Sequence, residues 1–142
     1  MQEHSKEVFS GEWTYRSIIN RVEPATTLDD IILAEGQLLL KVNEAGVFIE
    51  STLSFGEDYP MLVQGGVVDA GPGAPPTAKF TAYGISKTKT EGWVYSYIGS
   101  PAPTWPYGID QRAAIVGTVT RVLDHGATSK AGYVASFVAV KH

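Results

Sequence analysis

Apolar residues recur at every second position along most of the chain, and no long segment carries them at helical spacing. The alternation falls into eight runs rich in β-branched and aromatic side chains, at residues 8–19, 31–42, 47–55, 60–69, 78–86, 91–99, 112–123 and 132–141. Turn chemistry separates them. Asn43, Glu44, Ala45 and Gly46 suit a tight hairpin, with Gly46 free to take positive φ. Asp124, His125 and Gly126 open a last hairpin, and the Gly/Pro-rich segment 71–76 reads as a surface loop. Residues 24–30 form a connection with room for one short helical turn. Eight sequential strands without crossover helices predict an all-β, antiparallel, up-and-down barrel in one domain over residues 1–142. Closure removes exposed sheet edges, and an eight-stranded barrel has room for one small ligand. A two-sheet sandwich is the alternative architecture.

Period-two patterning also assigns faces. Trp13, Tyr15 and Ser17 share one face of the first strand, and Trp93, Tyr95 and Tyr97 one face of the sixth. Tyr133, Ala135, Phe137 and Ala139 share one face of the eighth. The large aromatics place these faces inside, and Tyr83 is a further inward candidate. Val134, Val138 and Val140 then point outward from a strand that is apolar on both sides, and residues 113–119 repeat the pattern. An apolar outer face predicts a subunit interface, most simply a symmetric homodimer built through the last two strands.

Composition narrows the function classes. The 142 residues carry 11 Lys+Arg against 15 Asp+Glu, a formal net charge of −4, which argues against tracking a phosphate backbone, so no nucleic-acid partner is expected. Charged residues are 18% and aromatic residues 11%, a balance suited to a packed domain rather than disorder. Without cysteine there is no disulfide frame, thiol nucleophile or cysteine metal site. The polar start lacks a signal peptide's apolar run, and no window approaches a membrane span. The expectation is a soluble, cytoplasmic domain with no membrane association.

Three segments carry a resemblance: Gly11, Glu12 and Trp13 on the opening strand; Gly92, Trp93, Val94 and Tyr95 on the sixth; and the last hairpin from Thr120 to Phe137. They resemble the calycin group of barrels, which includes avidin, streptavidin and the lipocalins. The biotin cradle is not carried over. Tyr15 stands where avidin-type proteins place an Asn, Ile19 where they place a Ser, and Phe137 where bacterial members place an Asp. Biotin binding is therefore rejected. The resemblance implies that Arg121 stacks on Trp13 at the closed end, as the lipocalin arginine does; a surface Arg is the other reading.

The candidate chemistry is sparse. The inward tyrosines either bond to one another, Ser17 or Gln64 in a filled core, or wall a cavity for a ring-containing molecule. The proline-rich segment 99–112 displays Trp105 and Tyr107, and reads as a lid over the barrel mouth or as a loop packed outside. On it, Asp110 and Arg112 are spaced to share a face and form the best charged pair for catalysis. His4 and His142 lie near the termini and His125 in a turn where solvation is the usual fate, so no zinc site and no cofactor are expected. Glu35 and Glu50 fall on predicted strands and most simply face water. The expected ligand-binding set is Trp13, Tyr15, Ser17, Trp93, Tyr95, Tyr97, Trp105, Tyr107 and Phe137. The leading function is binding of a small hydrophobic molecule. An isomerase or cyclase acting on a terpenoid- or polyketide-like substrate is one alternative, and a structural module with a filled barrel is the other.

Overall fold

The protein is described here by a computed structural model covering residues 7–69 and 71–142. Eight strands close into a barrel in sequence order: β1 (Gly11–Ile18), β2 (Ile32–Leu40), β3 (Ser51–Ser54), β4 (Pro60–Val68), β5 (Thr77–Gly84), β6 (Val94–Pro101), β7 (Ala114–Arg121) and β8 (Val134–Lys141). Every neighbour is antiparallel, and β8 returns to β1, pairing Trp13 with Lys141 and Ser17 with Phe137. The expected architecture is the one observed, and the sandwich is not. The helical turn in the first connection spans only Leu28–Asp30, where the Asp30 carboxylate accepts the backbone N–H groups of Thr26 and Thr27. Among the described residues no helix is long and apolar enough to cross a membrane.

The turns form for local reasons. Asn43 Oδ1 accepts the N–H groups of Ala45 and Val47, and Gly46 takes φ +80°, which tightens the β2–β3 connection. Glu50 then takes φ +46°, and β3 is shorter than its apolar run because residues 47 and 48 make only isolated bridges. Glu50 is exposed and paired with Lys41, and Glu35 is exposed too, so both carboxylates face water as expected.

An up-and-down order sorts the connections strictly by parity. The first, third, fifth and seventh lie at one end of the barrel, and the second, fourth and sixth lie at the other beside both strand termini. The terminal end is plugged. Phe9, Trp13, Leu40 and Phe48 are buried there, the Trp13 indole donates to the Phe9 carbonyl at 3.1 Å, and Lys141 Nζ lies 5.6 Å from the Trp13 ring centroid. Lys141, not Arg121, thus provides the cation over Trp13. Arg121 sits toward the opposite end and is buried, so neither reading of it held.

The middle of the barrel is also filled. Ala78, Gly99, Gly117, Phe137 and Ser17 form one inward row across five strands, read from the pairings Ala78–Gly99, Gly99–Gly117, Gly117–Phe137 and Phe137–Ser17. Gly99 leaves space that the Phe137 ring occupies: a Cβ there would lie 2.8 Å from Phe137 Cζ, whereas one on Gly117 would meet the Ile98 backbone. Tyr15 and Tyr97 pack on Phe137, at centroid distances of 5.9 and 5.3 Å, and Tyr97 stacks on Phe80 at 4.7 Å. Above this layer the filling stops.

Candidate functional site

A cavity of about 310 Å³ occupies the end of the barrel formed by the odd-numbered connections. Its floor is the Tyr15–Tyr97 pair, whose hydroxyls are 3.1 Å apart. Burial raises the pKa of both phenols, Tyr97 strongly, so both floor hydroxyls are neutral hydrogen-bonding groups. Its walls are Ser17, Leu33, Ala34, Phe55, Tyr59, Trp93, Tyr95, Val119, Arg121 and His125.

Each wall residue has a local reason for its place. A register shift at Ser17/Ile18 turns the start of β2 so that Leu33 and Ala34 both reach the rim. The β3–β4 turn, closed by Phe55 N–H to the Tyr59 carbonyl at 3.1 Å, brings both rings to the mouth. Trp93 is fixed by its backbone: its N–H reaches the Thr90 carbonyl and its carbonyl accepts from Gly84, both at 2.8 Å. Thr90 is itself fully buried and donates from Oγ1 to the Pro60 carbonyl, which ties the fifth connection to β4. Glycine is required at position 84 because a Cβ there would lie 1.6 Å from the Thr90 oxygen.

The polar part of the wall is one cluster. Tyr95 and Arg121 are cross-strand partners on β6 and β7, and Arg121 Nε donates to the Tyr95 hydroxyl at 3.4 Å. The same hydroxyl is hydrogen-bonded to His125 Nε2. The guanidinium lies 5.8 and 5.4 Å from the ring centroids of Tyr95 and Tyr133, and Nη1 donates to the Lys130 carbonyl at 3.2 Å. The His125 ring stacks on Trp93 at 4.3 Å. The last hairpin holds it there: His125 N–H bonds to the Ser129 carbonyl, and Asp124 Oδ1 accepts the Ala131 N–H. Desolvation lowers the His125 pKa, and the nearby Arg121 charge lowers it further, so the imidazole is neutral at neutral pH. A neutral imidazole accepts one proton at Nε2, and the Tyr95 hydroxyl is the group placed to supply it. Among the described residues no group of three or more His, Cys, Asp or Glu gathers as metal ligands.

The structure brings together five of the expected residues: Tyr15, Ser17, Trp93, Tyr95 and Tyr97. Trp13 and Phe137 face inward, but Trp13 belongs to the plug and Phe137 lies beneath the tyrosine floor. Trp105, Tyr107, Asp110 and Arg112 are displaced altogether. They sit on the sixth connection, at the end opposite the cavity, and all are exposed, Trp105 by 78%. That loop is held in shape by Gln111, whose side chain bonds both the N–H and the carbonyl of Trp105. It is not a lid on this cavity, and Asp110 and Arg112 neither pair with each other nor line it. Tyr83 points outward, opposite the buried Ala82, and Tyr133 lies at the rim against Arg121 rather than inside. Gln64 also faces out, so the tyrosines find their partners in one another, in Ser17, and in Arg121 and His125. His142 bonds Thr14 at the plugged end, and His4 lies outside the described residues.

His125, Arg121, Tyr59, Phe55, Leu33, Ala34 and Val119 are the wall residues that face-by-face reading did not assign. Parity of the connections is the signal that finds His125. A meander puts the seventh connection at the same end as Trp93 and the sixth at the other. The fold and the cavity define a closed up-and-down β-barrel with an aromatic pocket at one end. Compared with known protein families, curated proteins and solved structures, the chain gives no match.

Proposed function

We propose that the protein binds a small, largely apolar, ring-containing molecule in the pocket at the open end of the barrel. The observation that carries this reading is the wall itself: an unfilled volume of about 310 Å³ lined by seven aromatic or imidazole rings, with polar groups gathered on one side. Apolar walls with a few convergent polar groups are the usual make-up of a small-molecule site. Rings of Tyr59, Trp93 and Tyr95 supply flat faces, and the Tyr95, Arg121 and His125 cluster supplies orientation. The volume suits one or two rings. The strand order and the opening Gly-x-Trp support kinship of fold with the calycin group.

A second reading, an isomerase or cyclase, is favoured by one observation. The Tyr95 hydroxyl lies between a guanidinium and a neutral imidazole. That arrangement can pass a proton from Tyr95 to His125 while Arg121 stabilises the phenolate.

Trp93 is the reporter that tests the binding reading, because Trp13 is buried in the plug and Trp105 lies at the other end. In a Trp105→Phe variant, 4-nitrobenzyl alcohol, a neutral nitroaromatic quencher, should quench emission saturably. Adding Trp93→Phe should abolish the saturable part. Quenching that rises linearly and equally in both variants refutes the proposal.

A further inference from the structure

We propose that the pocket selects a short aromatic monocarboxylate, with Arg121 pairing the carboxylate and the ring lying among Trp93, Tyr59 and Phe55. This inference rests on the binding reading above and names its ligand class.

Arg121 is 9% exposed and stands on the wall of an otherwise apolar, aromatic pocket. A buried guanidinium is ordinarily matched by a carboxylate, because an unmatched charge is costly to bury. Here the four ion pairs found among the described residues all lie elsewhere, joining Lys41 to Glu50, Lys89 to Asp58, Lys130 to Asp124 and His142 to Glu12. Among the described residues no Asp or Glu lines the pocket. The protein instead gives Arg121 a phenol oxygen, a backbone carbonyl and two ring faces, all of them neutral. Of the five N–H donors of a guanidinium, hydrogen bonds among the described residues use one at Nε and one at Nη1. The remaining donors form the planar fork that recognises a carboxylate. Tyr95 and His125 reinforce the choice. A carboxylate accepting from the Tyr95 hydroxyl displaces that proton from His125, and the freed imidazole can take a proton in turn, adding a second positive charge beside the anion.

The floor sets the length. Tyr15 and Tyr97 close the pocket by a hydroxyl–hydroxyl bond, and Phe137 fills the barrel beneath them. An acid whose tail must run down the barrel axis has nowhere to place it. A flat ring system can instead lie at the mouth, among the rings of Trp93, Tyr59 and Phe55.

The test is calorimetric titration with three probes: 2-naphthoate, its neutral counterpart 2-naphthylmethanol, and dodecanoate. At about pH 7.5 both acids are ionised. The unmodified protein should bind 2-naphthoate about ten- to a hundred-fold more tightly than 2-naphthylmethanol, the scale of a charge-assisted hydrogen-bonded contact. Dodecanoate should bind more weakly than 2-naphthoate. Arg121→Gln should remove the preference for the acid, read as the ratio of the acid and alcohol affinities within that variant, and Arg121→Lys should retain part of the preference. Equal binding of acid and alcohol by the unmodified protein overturns the carboxylate inference while leaving the pocket reading in place. Tighter binding of dodecanoate overturns the length argument. Failure of all three to bind overturns both this inference and the reading it rests on. The comparison of acid with alcohol needs no variant, so it stands even if Arg121→Gln does not fold.

Discussion

Phe137 carries the floor of the pocket without touching its contents, and its fit over Gly99 can be measured. Truncation to Ala removes a ring that is 3% exposed and packed on both Tyr15 and Tyr97. The expected cost is about 3–5 kcal/mol, combining lost transfer energy with the cavity left behind. For a chain of this length that corresponds to a fall in Tm of roughly 10–15 °C. Gly99→Ala works from the other side. Its Cβ would lie 2.8 Å from Phe137 Cζ, 3.0 Å from Ile115 Cγ2 and 3.2 Å from the Val116 oxygen. The tightest of these contacts is with the ring, so the overpacking cost of about 1–3 kcal/mol should fall when the ring is gone. In the Phe137→Ala background Gly99→Ala should therefore be milder by about 1 kcal/mol or more. Relief is incomplete because the contacts to Ile115 and Val116 remain. Glycine's effect on the unfolded chain cancels in this comparison, which isolates the native contact. Gly117→Ala is the control: its Cβ would meet the Ile98 carbonyl oxygen at 1.9 Å, a backbone obstruction that truncating Phe137 does not remove. Urea denaturation followed by fluorescence and circular dichroism gives the stabilities of the four members of the cycle. Additivity within about 0.5 kcal/mol for Gly99 and Phe137 refutes the claim that the glycine exists to seat the ring.

Two further predictions concern the polar cluster and the outer surface. His125 has a lowered pKa in the folded protein, so its contribution to stability is full above the unfolded value of about 6.5 and is lost as pH falls through the folded value. Relative to His125→Gln, the unmodified protein should lose stability as pH falls below about 6.5, read from urea midpoints; a difference that does not change with pH, or changes the other way, refutes the assignment. On the outside, Val116 and Val138 pair across β7 and β8, and Val140 continues the apolar face. We expect this face to be buried between two copies, with Val138→Asp giving monomers in sedimentation where the unmodified protein gives dimers; equal soluble monomers for both refute it.

The strand count, the turn positions and most of the inward faces were legible because they are local, although Tyr83 and Tyr133 do not lie inside. Alternation with period two assigns Trp13, Tyr15 and Ser17 to one side whatever the rest of the chain does. Asn43 and Gly46 set a tight turn from their own side chain and backbone freedom. Even the end at which each connection lies follows from parity once a meander is assumed, and that rule separates His125 from Trp105. Misreading the proline-rich loop came from judging it by its residues rather than by its place in the order.

What the sequence could not supply is where along the barrel the filling stops. Trp13, Tyr15 and Ser17 alternate alike, yet one belongs to the plug, one to the floor and one to the wall. That division depends on closure: the β6, β7 and β8 pairings put Gly99, Gly117 and Phe137 in one row, but only when β8 meets β1 does Ser17 join that row and Tyr15 come against Phe137. Arg121 shows the same limit. Its strand position was evident, but its neighbours were not, because Tyr95 and His125 lie 26 and 4 residues away along the chain and converge on it through cross-strand register and the fold of a hairpin. Side-chain burial is a property of the closed surface rather than of any one strand, and so the pocket and the buried Arg121 on its wall emerge only in three dimensions.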